Sequence, residues 1–234
     1  MTASPLPTRP REGADGTVEA LRARMQGMQD GVRRLPVPTP PELAGLVQLR
    51  TGGSYQVDSA ALALLLLAAS SRAGSWTAIV GVDDLGIEAA EEMGVDLGRT
   101  VVVPDPGDHW LEAAAALVDA LPVVLLRPPT GVTARTASRL GARLRRRTST
   151  LLVQGAWPGC EASLWVAGSR WDGVGEGSGR LRSRQVVVAC RRGQAPVRHA
   201  ELWLPTPPEH AETSPMSPRH VSDVTPTRQE RRTG

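Results

Sequence analysis

Apolar residues in the middle of the chain occur in two alternating patterns, short aliphatic runs and longer stretches with helical spacing. The short runs are bounded by polar and turn-forming residues, and they predict strands over residues 76–82, 100–104, 122–126 and 150–154. The longer stretches repeat at three- and four-residue intervals and predict helices over residues 59–71, 86–93, 110–120 and 133–147. The first of these helices is apolar nearly all round, so we expect it to be buried.

This alternation of strands with helices predicts the fold class. Parallel strands need long crossover connections, usually helical, so we expect an α/β fold with a mostly parallel sheet flanked by helices on both faces. Two late aliphatic runs, residues 162–167 and 185–190, have no helix between them and predict an antiparallel C-terminal extension. A core of roughly 160 residues is long enough to bury about two-thirds of its surface.

The two ends of the chain differ in composition from this core. Residues 1–16 are rich in proline, glycine and charge and predict a disordered leader. Residues 17–35 predict an amphipathic helix, because apolar side chains recur at helical spacing at Val18, Leu21, Met25, Met28 and Val32. A proline cluster at residues 36–42 ends this helix, and the predicted core, residues 36–204, begins with that cluster. Residues 205–234 predict a disordered tail with a basic end.

Composition excludes several kinds of chemistry. The chain has 234 residues and a formal net charge of +3, and all of its basic residues other than histidine are arginine, since it contains no lysine. A phosphate-binding loop normally uses a lysine on the terminal phosphates, and Schiff-base chemistry needs a lysine amine. The abundance of Gly, Ala, Arg and Pro and the scarcity of Phe, Tyr, Ile and Asn are typical of a GC-rich genome, which weakens the arginine content as a sign of nucleic-acid binding.

The sequence gives little support for a membrane protein, a secreted protein or a metal-binding protein. The longest aliphatic run, residues 60–69, is about half of the ~20 residues that a membrane span requires. The first residues contain no apolar signal segment, and Cys160 and Cys190 lie far apart without metal-ligand spacing. We therefore expect a cytoplasmic protein with no metal and no cofactor.

The order of the predicted elements carries a resemblance. Residues 46–70 read as a strand, a glycine-containing loop and a very apolar helix, and residues 91–107 as a helix, a Gly-Val-Asp turn and a strand. Together with the later strands, the arginine-bearing helix and a final glycine-rich loop, this order resembles a RecA-type ATPase core over about residues 17–200. The resemblance implies a RecA-like core whose nucleotide loop involves Gly52, Gly53, Asp58, Ser59 and Ala60.

The chain departs from the RecA pattern at the catalytic positions. Asp58, Ser59 and Ala60 stand where the resemblance implies Gly-Lys-Thr, and the Asp58 carboxylate would repel a triphosphate. Arg127 follows the strand that should end in a magnesium-binding aspartate, and Val82 occupies the place of the water-positioning glutamate. We therefore expect a pseudo-ATPase that is not an enzyme. The acidic residues after the strand at 76–82 are explained by the dipole of the following helix rather than by a metal.

A closer resemblance points to one group within that superfamily. Residues 94–97, 103–107 with Trp110, 157–159, 171–177 and 179–184 are similar to the actinobacterial ImuA-prime proteins, RecA-like partners of the Y-family-related protein ImuB and an error-prone polymerase. The resemblance implies a non-catalytic accessory protein of damage-induced error-prone translesion DNA synthesis, the SOS mutagenesis response, with an ImuB-like protein and the polymerase as partners. Two alternatives stay open, a SulA-like cell-division inhibitor and a RecA-type DNA-dependent ATPase.

Two arginine clusters are candidate contacts to single-stranded DNA. The first lies in and beside a glycine-rich segment that corresponds to a DNA-contacting loop of RecA relatives: Arg170, Trp171, Arg180, Arg182 and Arg184. Arginine can pair with phosphates and stack on bases, and a tryptophan can offer a stacking surface. The second cluster has four-residue spacing on the helix at 133–147: Arg135, Arg139 and Arg143. The alternatives are a solvated hairpin loop and the ordinary charged outer face of an amphipathic helix.

Overall fold

The computed structural model describes residues 34–129, 131–175 and 178–204, and of residues 171–183 it describes the backbone alone. The predicted leader, the predicted tail and all but the last two residues of the predicted N-terminal helix lie outside the described residues. Within those ranges no helix is long and apolar enough to cross a bilayer.

Eight strands form one sheet in the order β3-β2-β4-β5-β1-β6-β7-β8. Their bounds are β1 Ser54–Val57, β2 Thr77–Val80, β3 Thr100–Val103, β4 Val123–Leu126, β5 Thr150–Gln154, β6 Ala162–Gly175, β7 Ser178–Arg191 and β8 Arg198–Leu204. The first six are mutually parallel, whereas β7 is antiparallel to both of its neighbours. The predicted α/β class, mostly parallel sheet and antiparallel C-terminal extension are confirmed.

Within the described residues, five α-helices accompany the sheet: α1 Pro41–Ala44, α2 Ala60–Arg72, α3 Ile87–Glu92, α4 Trp110–Ala120 and α5 Ala134–Arg147. Side-chain oxygens fix two of the predicted helix starts. Ser59 accepts a hydrogen bond from the backbone N–H of Leu62 at the start of α2, and Thr133 accepts one from Thr136 at the start of α5. At its other end α5 stops where Thr148 adopts a left-handed conformation, with φ of 54°.

Helices cover the parallel part of the sheet on both faces. On one face, α2 packs against a core that extends to the C-terminal strands and includes Leu66, Val57, Leu164 and Leu202. On the other face, α4 and α5 pack against β2, β4 and β5. The almost uniformly apolar sequence of α2 is explained by its position, since side chains from Leu62 to Ala68 are all buried. We call these two sides of the sheet the α2 face and the α4–α5 face.

The structure corrects the sequence prediction around β1. A strand, a glycine loop and a helix are expected in that order over residues 46–70, but the strand follows the glycines instead of preceding them. Gly52 and Gly53 lie before β1, at its amino end, and only Asp58 and Ser59 connect β1 to α2. The loop inferred from the RecA resemblance is therefore divided between the two ends of a four-residue strand.

The C-terminal strands also differ from prediction. β6 and β7 have 14 residues each, so the segment expected as a glycine-rich loop is largely a continuous hairpin. β8 is missing from the sequence prediction, although Ala200, Leu202 and Leu204 alternate with polar residues and tryptophan along it. Proline, histidine and arginine around this strand obscure its period of two.

Candidate functional site at the carboxyl edge of the sheet

The carboxyl ends of β1, β2, β4 and β5 meet at one edge of the sheet, where ligands commonly bind in open α/β folds. At this edge Asp58 is held by the neighbouring strand β6. Its backbone N–H donates to the carbonyl of Leu164 at 3.2 Å, and both of its carboxylate oxygens accept from the backbone N–H of Val166 at 3.2 Å. Asp58 is therefore a structural connection between β1 and β6 in this conformation.

Ser59 and Ala60 complete the connection from β1 to α2. The Ser59 hydroxyl is engaged as the helix cap, and Ala60 is the first residue of α2. A connection of two residues has too few backbone N–H groups to encircle a phosphate in the manner of a Gly-rich loop.

Gly52 lies at the amino edge of the sheet, before β1, and has a different structural role. Its φ is +78°, its N–H donates to the Ser149 carbonyl at 2.7 Å, and a Cβ there would lie 3.2 Å from Cα of Arg145 in α5. A glycine is needed because the chain turns while passing close to that helix. Neither Gly52 nor Gly53 is near the carboxyl edge where a nucleotide loop would be placed.

An ion-pair cluster occupies the centre of the carboxyl edge. Arg127, the first residue after β4, contacts Asp84 at 2.5 Å and Asp83 at 3.4 Å, both of which follow β2. Its Nε donates to the side-chain oxygen of Gln154, the last residue of β5, at 3.2 Å. We call Asp83, Asp84, Arg127 and Gln154 the edge cluster. The hydrogen bond from Arg127 holds the pKa of Asp84 below its usual range against the opposing effect of desolvation.

Close backbone approach supports the edge cluster. Gly81 follows β2 with φ of +75°, and a Cβ at this position would lie 2.3 Å from the carbonyl oxygen of Arg127. The backbone N–H of Arg127 donates to the carbonyl of Val80 at 2.8 Å. The absence of a side chain at Gly81 thus allows β2 and β4 to end in contact, which places Arg127 beside the aspartates.

The sequence gives separate interpretations of Asp83, Asp84 and Arg127, but it does not indicate Gln154 or the pairing of the charges. Asp83 and Asp84 were expected to interact with a helix dipole, and Arg127 was expected only to replace a metal-binding aspartate. The signal in the sequence is that the aspartates come soon after β2 and that Arg127 comes directly after β4. This signal predicts an ion pair only when the strand order is known, because β2 and β4 are neighbours in the sheet.

The basic helix α5 divides its arginines between two surroundings. Arg143 and Arg147 both donate through Nε to the carboxylate of Asp119 in α4, at 2.8 and 3.2 Å. The hydrogen bond from Arg143 is the main cause that lowers the pKa of Asp119. Arg135 and Arg139 are exposed. The arginines of the predicted stripe therefore keep their four-residue spacing, but they are not equally available to contact DNA. Arg143 joins α5 to α4 through its ion pair with Asp119.

The other candidate DNA contacts lie on β6 and β7. Arg170 is exposed and stands opposite Gln185, and the half-buried Arg184 donates to the Ser169 hydroxyl at 3.1 Å. The side chains of Trp171, Arg180 and Arg182 lie outside the part that the structure describes.

Beyond these positions the backbone forms a two-stranded arm. Residues 171–175 pair with residues 178–184, whereas β1 pairs with β6 only as far as Leu164 and β8 pairs with β7 only from Arg184. The arm therefore extends past the rest of the sheet, in the direction of the carboxyl edge, by about five residues or ~16 Å. Arg180 and Arg182 belong to its returning strand.

Fold and edge together define an α/β protein with a mixed eight-stranded sheet, ion-paired at the carboxyl edge and extended by a C-terminal hairpin. Comparison with known proteins gives the family. A family model described as MT3502 N-terminal domain matches residues 42–159, from α1 to just beyond β5. The chain is also 37% identical over 173 residues to the uncharacterized protein Rv3395c of Mycobacterium tuberculosis, an alignment covering 70% of this chain and 82% of that relative. The chain belongs to this family.

Proposed function

We propose that this protein is a non-catalytic, RecA-like accessory protein of damage-induced error-prone translesion DNA synthesis. It binds an ImuB-like partner, through which it acts with an error-prone polymerase, and it contacts single-stranded DNA. The similarity to ImuA-prime proteins at residues 94–97, 103–107 with Trp110, 157–159, 171–177 and 179–184 supports this assignment. An actinobacterial relative in the same family and the predicted antiparallel C-terminal extension are consistent with it.

The edge cluster is the observation that carries the non-catalytic part of the proposal. Phosphate binding and hydrolysis need cationic groups and backbone N–H donors directed at the ligand, together with a carboxylate free to hold magnesium. Here Arg127 contacts Asp83 and Asp84, and the Asp58 carboxylate accepts from the backbone of β6. The charges at the edge therefore satisfy one another, and the short β1–α2 connection adds no phosphate-binding loop.

Nucleotide chemistry is tested by calorimetry with ATP and by a phosphate-release assay on the full chain. We expect no turnover above background and very weak ATP binding at most. Ser59→Lys restores the missing lysine but not the loop, so it is expected to leave both results unchanged. Turnover that disappears in Asp58→Ala or Ser59→Ala would contradict the proposal and favour the RecA-type ATPase.

The partner is tested by pull-down of the full chain against an ImuB-like protein and, in parallel, against the cell-division GTPase. We expect retention of the ImuB-like protein alone. Retention of the division GTPase without the ImuB-like protein would favour the SulA-like division inhibitor instead.

A further inference from the structure

A surface cleft lies between the carboxyl-terminal ends of α4 and α5. It has a volume of about 300 Å³ and is lined by one carboxylate and three guanidinium groups, those of Asp119, Arg143, Arg146 and Arg147. The three arginines are three and four residues apart on α5, so they are neighbours on the surface of the helix. We call this feature the arginine cleft. It lies at the amino edge of the sheet, because α4 and α5 end where β4 and β5 are about to begin.

The single carboxylate balances only part of the positive charge in the arginine cleft. Arg143 and Arg147 both reach Asp119, but each donates through Nε, and to the same oxygen, Oδ1, at 2.8 and 3.2 Å. Within the described part of the chain, the terminal nitrogens of these two arginines make no hydrogen bond, and Arg146 has neither a hydrogen bond nor an ion pair. The arginine cleft therefore has a net charge of +2 and more N–H donors than the acceptors that line it.

This arrangement favours an anion over an empty cleft. Three guanidinium groups around one space repel one another, and Asp119 offsets this repulsion only in part. The terminal carbonyls of a helix oppose an anion, but two of those in α5 are engaged. The Leu144 carbonyl accepts from the backbone N–H groups of Thr148 and Ser149. The Arg147 carbonyl accepts from the Thr148 hydroxyl at 2.6 Å.

Positive charge continues from the cleft towards β1. Arg145 is exposed, and its Cα would lie 3.2 Å from a Cβ added at Gly52, two residues after the exposed Arg50. The carboxyl edge has the opposite charge. The connections that lead from β1, β2, β3 and β4 to the next helix contain five carboxylates and one arginine, Arg127. A polyanion is therefore attracted to the end of α5 and repelled from the carboxyl edge.

We propose that the arginine cleft binds a phosphate group of a nucleic-acid strand, whose neighbouring phosphates follow Arg145 and Arg50 along the amino edge. The tetrahedral oxygens of a phosphate can accept from three guanidinium groups at once, whereas a carboxylate offers two oxygens in one plane. Asp119 orients Arg143 and Arg147 through Nε and leaves their terminal nitrogens for the ligand.

A strand fits this surface better than a small anion does. A single phosphate ion would use the cleft alone, whereas a chain of phosphates also uses the positive charge that continues towards β1. The inference rests on the proposed function only for the origin of the strand. The site itself is separate from the predicted contacts on the arm, which extends in the direction of the carboxyl edge.

The test measures binding of a labelled oligothymidine to the full chain by fluorescence anisotropy at low salt. Arg146→Glu reverses one charge of the cleft at an exposed side chain, so the fold is expected to survive and binding to weaken about ten-fold. Arg192→Glu is the matched control. It makes the same change of charge in the exposed turn between β7 and β8, three strands away from β5, and is expected to change the affinity less than about two-fold.

Salt dependence and a conservative variant test the phosphate contact itself. Arg146→Ala combined with Arg147→Ala removes two contacts and leaves Arg143 paired with Asp119. The slope of log affinity against log salt is expected to become shallower by about 1.4, because each phosphate contact on a single strand contributes about 0.7. Arg146→Lys keeps the charge but loses the planar fork, so it is expected to keep the slope and to bind about three-fold more weakly.

Several results would overturn the proposal. One is equal binding of oligothymidine by Arg146→Glu and Arg192→Glu when both proteins melt cooperatively. Another is wild-type protein that binds inorganic phosphate in calorimetry but fails to bind oligothymidine, which would make the cleft a site for a small anion. A third is loss of the ImuB-like partner with unchanged oligothymidine binding in Arg146→Glu, which would assign the cleft to an acidic protein segment. Pull-down of that partner by wild-type protein tests the proposed function separately, so failure of one leaves the other measurable.

Discussion

At the scale of single residues, Gly81 decides whether β2 and β4 can end in contact. Its φ of +75° is unfavourable for other residues, and a Cβ would lie 2.3 Å from the carbonyl oxygen of Arg127. Gly81→Ala is therefore expected to lower the free energy of unfolding by about 2 kcal/mol or more, from backbone strain and the forced displacement of Arg127 together. Urea denaturation followed by circular dichroism measures this loss.

The control for that prediction separates the cost of the positive φ from the cost of the steric clash with Arg127. Gly131 also has a positive φ, +87°, but a Cβ there meets nothing within 4 Å. Gly131→Ala is expected to cost about 1 kcal/mol, from the backbone alone. Equal losses in the two variants would show that the approach of Arg127 to Gly81 contributes nothing.

Asp119 makes stability depend on pH at the junction of α4 and α5. Its pKa is lowered from the usual 3.8, chiefly by the hydrogen bond from Arg143. A carboxylate with a lowered pKa in the folded protein binds protons more readily when the chain is unfolded, so its stabilising contribution is present above 3.8 and is lost as pH falls through the lowered value. We expect Asp119→Asn to reduce the fall in melting temperature between roughly pH 5 and pH 3.

The measurement for Asp119 is a series of thermal melts across that pH range. Asp108→Asn, at an exposed aspartate in the turn before α4, serves as the matched substitution. If the two variants and the wild type lose melting temperature in parallel, Asp119 has no part in the acid sensitivity of the fold.

At the scale of elements, the arm formed by β6 and β7 is where the sequence prediction of DNA contact is tested. Changing Arg180, Arg182 and Arg184 together to alanine is expected to weaken binding to single-stranded DNA and to lower its salt dependence. Three phosphate contacts on a single strand account for a slope change of about two. Anisotropy titrations at several salt concentrations measure both quantities.

The comparison for the arm is a double variant on α5, Arg135→Ala with Arg139→Ala, which removes two exposed arginines from the other predicted cluster. If the α5 variant alone loses affinity and slope, the DNA contact lies on that helix and the arm prediction is wrong. Loss in the arm variant alone supports the arm.

The local pattern of apolar residues predicted most helices and strands, but it did not predict the lengths of the C-terminal strands. Helices α2, α4 and α5 and strands β3, β4 and β5 lie within one residue of their predicted bounds at each end, because each has a clear period and a cap or turn at its limits. β1 lacks such a signal, since four residues following two glycines resemble a loop. The long pairing of β6 with β7 depends on cross-strand contacts, which glycine-rich sequence does not reveal.

At the scale of the whole molecule, the described core ends with β8. Leu202 and Leu204 are buried against the α2 face, whereas residues 206–234 contain few aliphatic side chains. Deleting residues 206–234 is therefore expected to leave a cooperative melt with a nearly unchanged midpoint. Differential scanning calorimetry measures the transition.

A longer deletion provides the contrast. Removing residues 198–234 also takes away β8 and exposes the part of the core that Leu202 covers, so we expect a large fall in the midpoint or loss of the cooperative transition. If the deletion of residues 206–234 already abolished the cooperative transition, the predicted tail would contain residues that the fold requires.

The sequence by itself determined the α/β class, the parallel core and most helix limits, because hydrophobic periodicity and capping residues act over a few neighbouring positions. Only the tertiary structure decided that Arg127 lies beside Asp83 and Asp84, since that contact depends on β2 and β4 being adjacent although 42 residues lie between the end of β2 and the start of β4. It also decided that α4 and α5 pack on β2, β4 and β5, a long-range choice that local sequence does not encode.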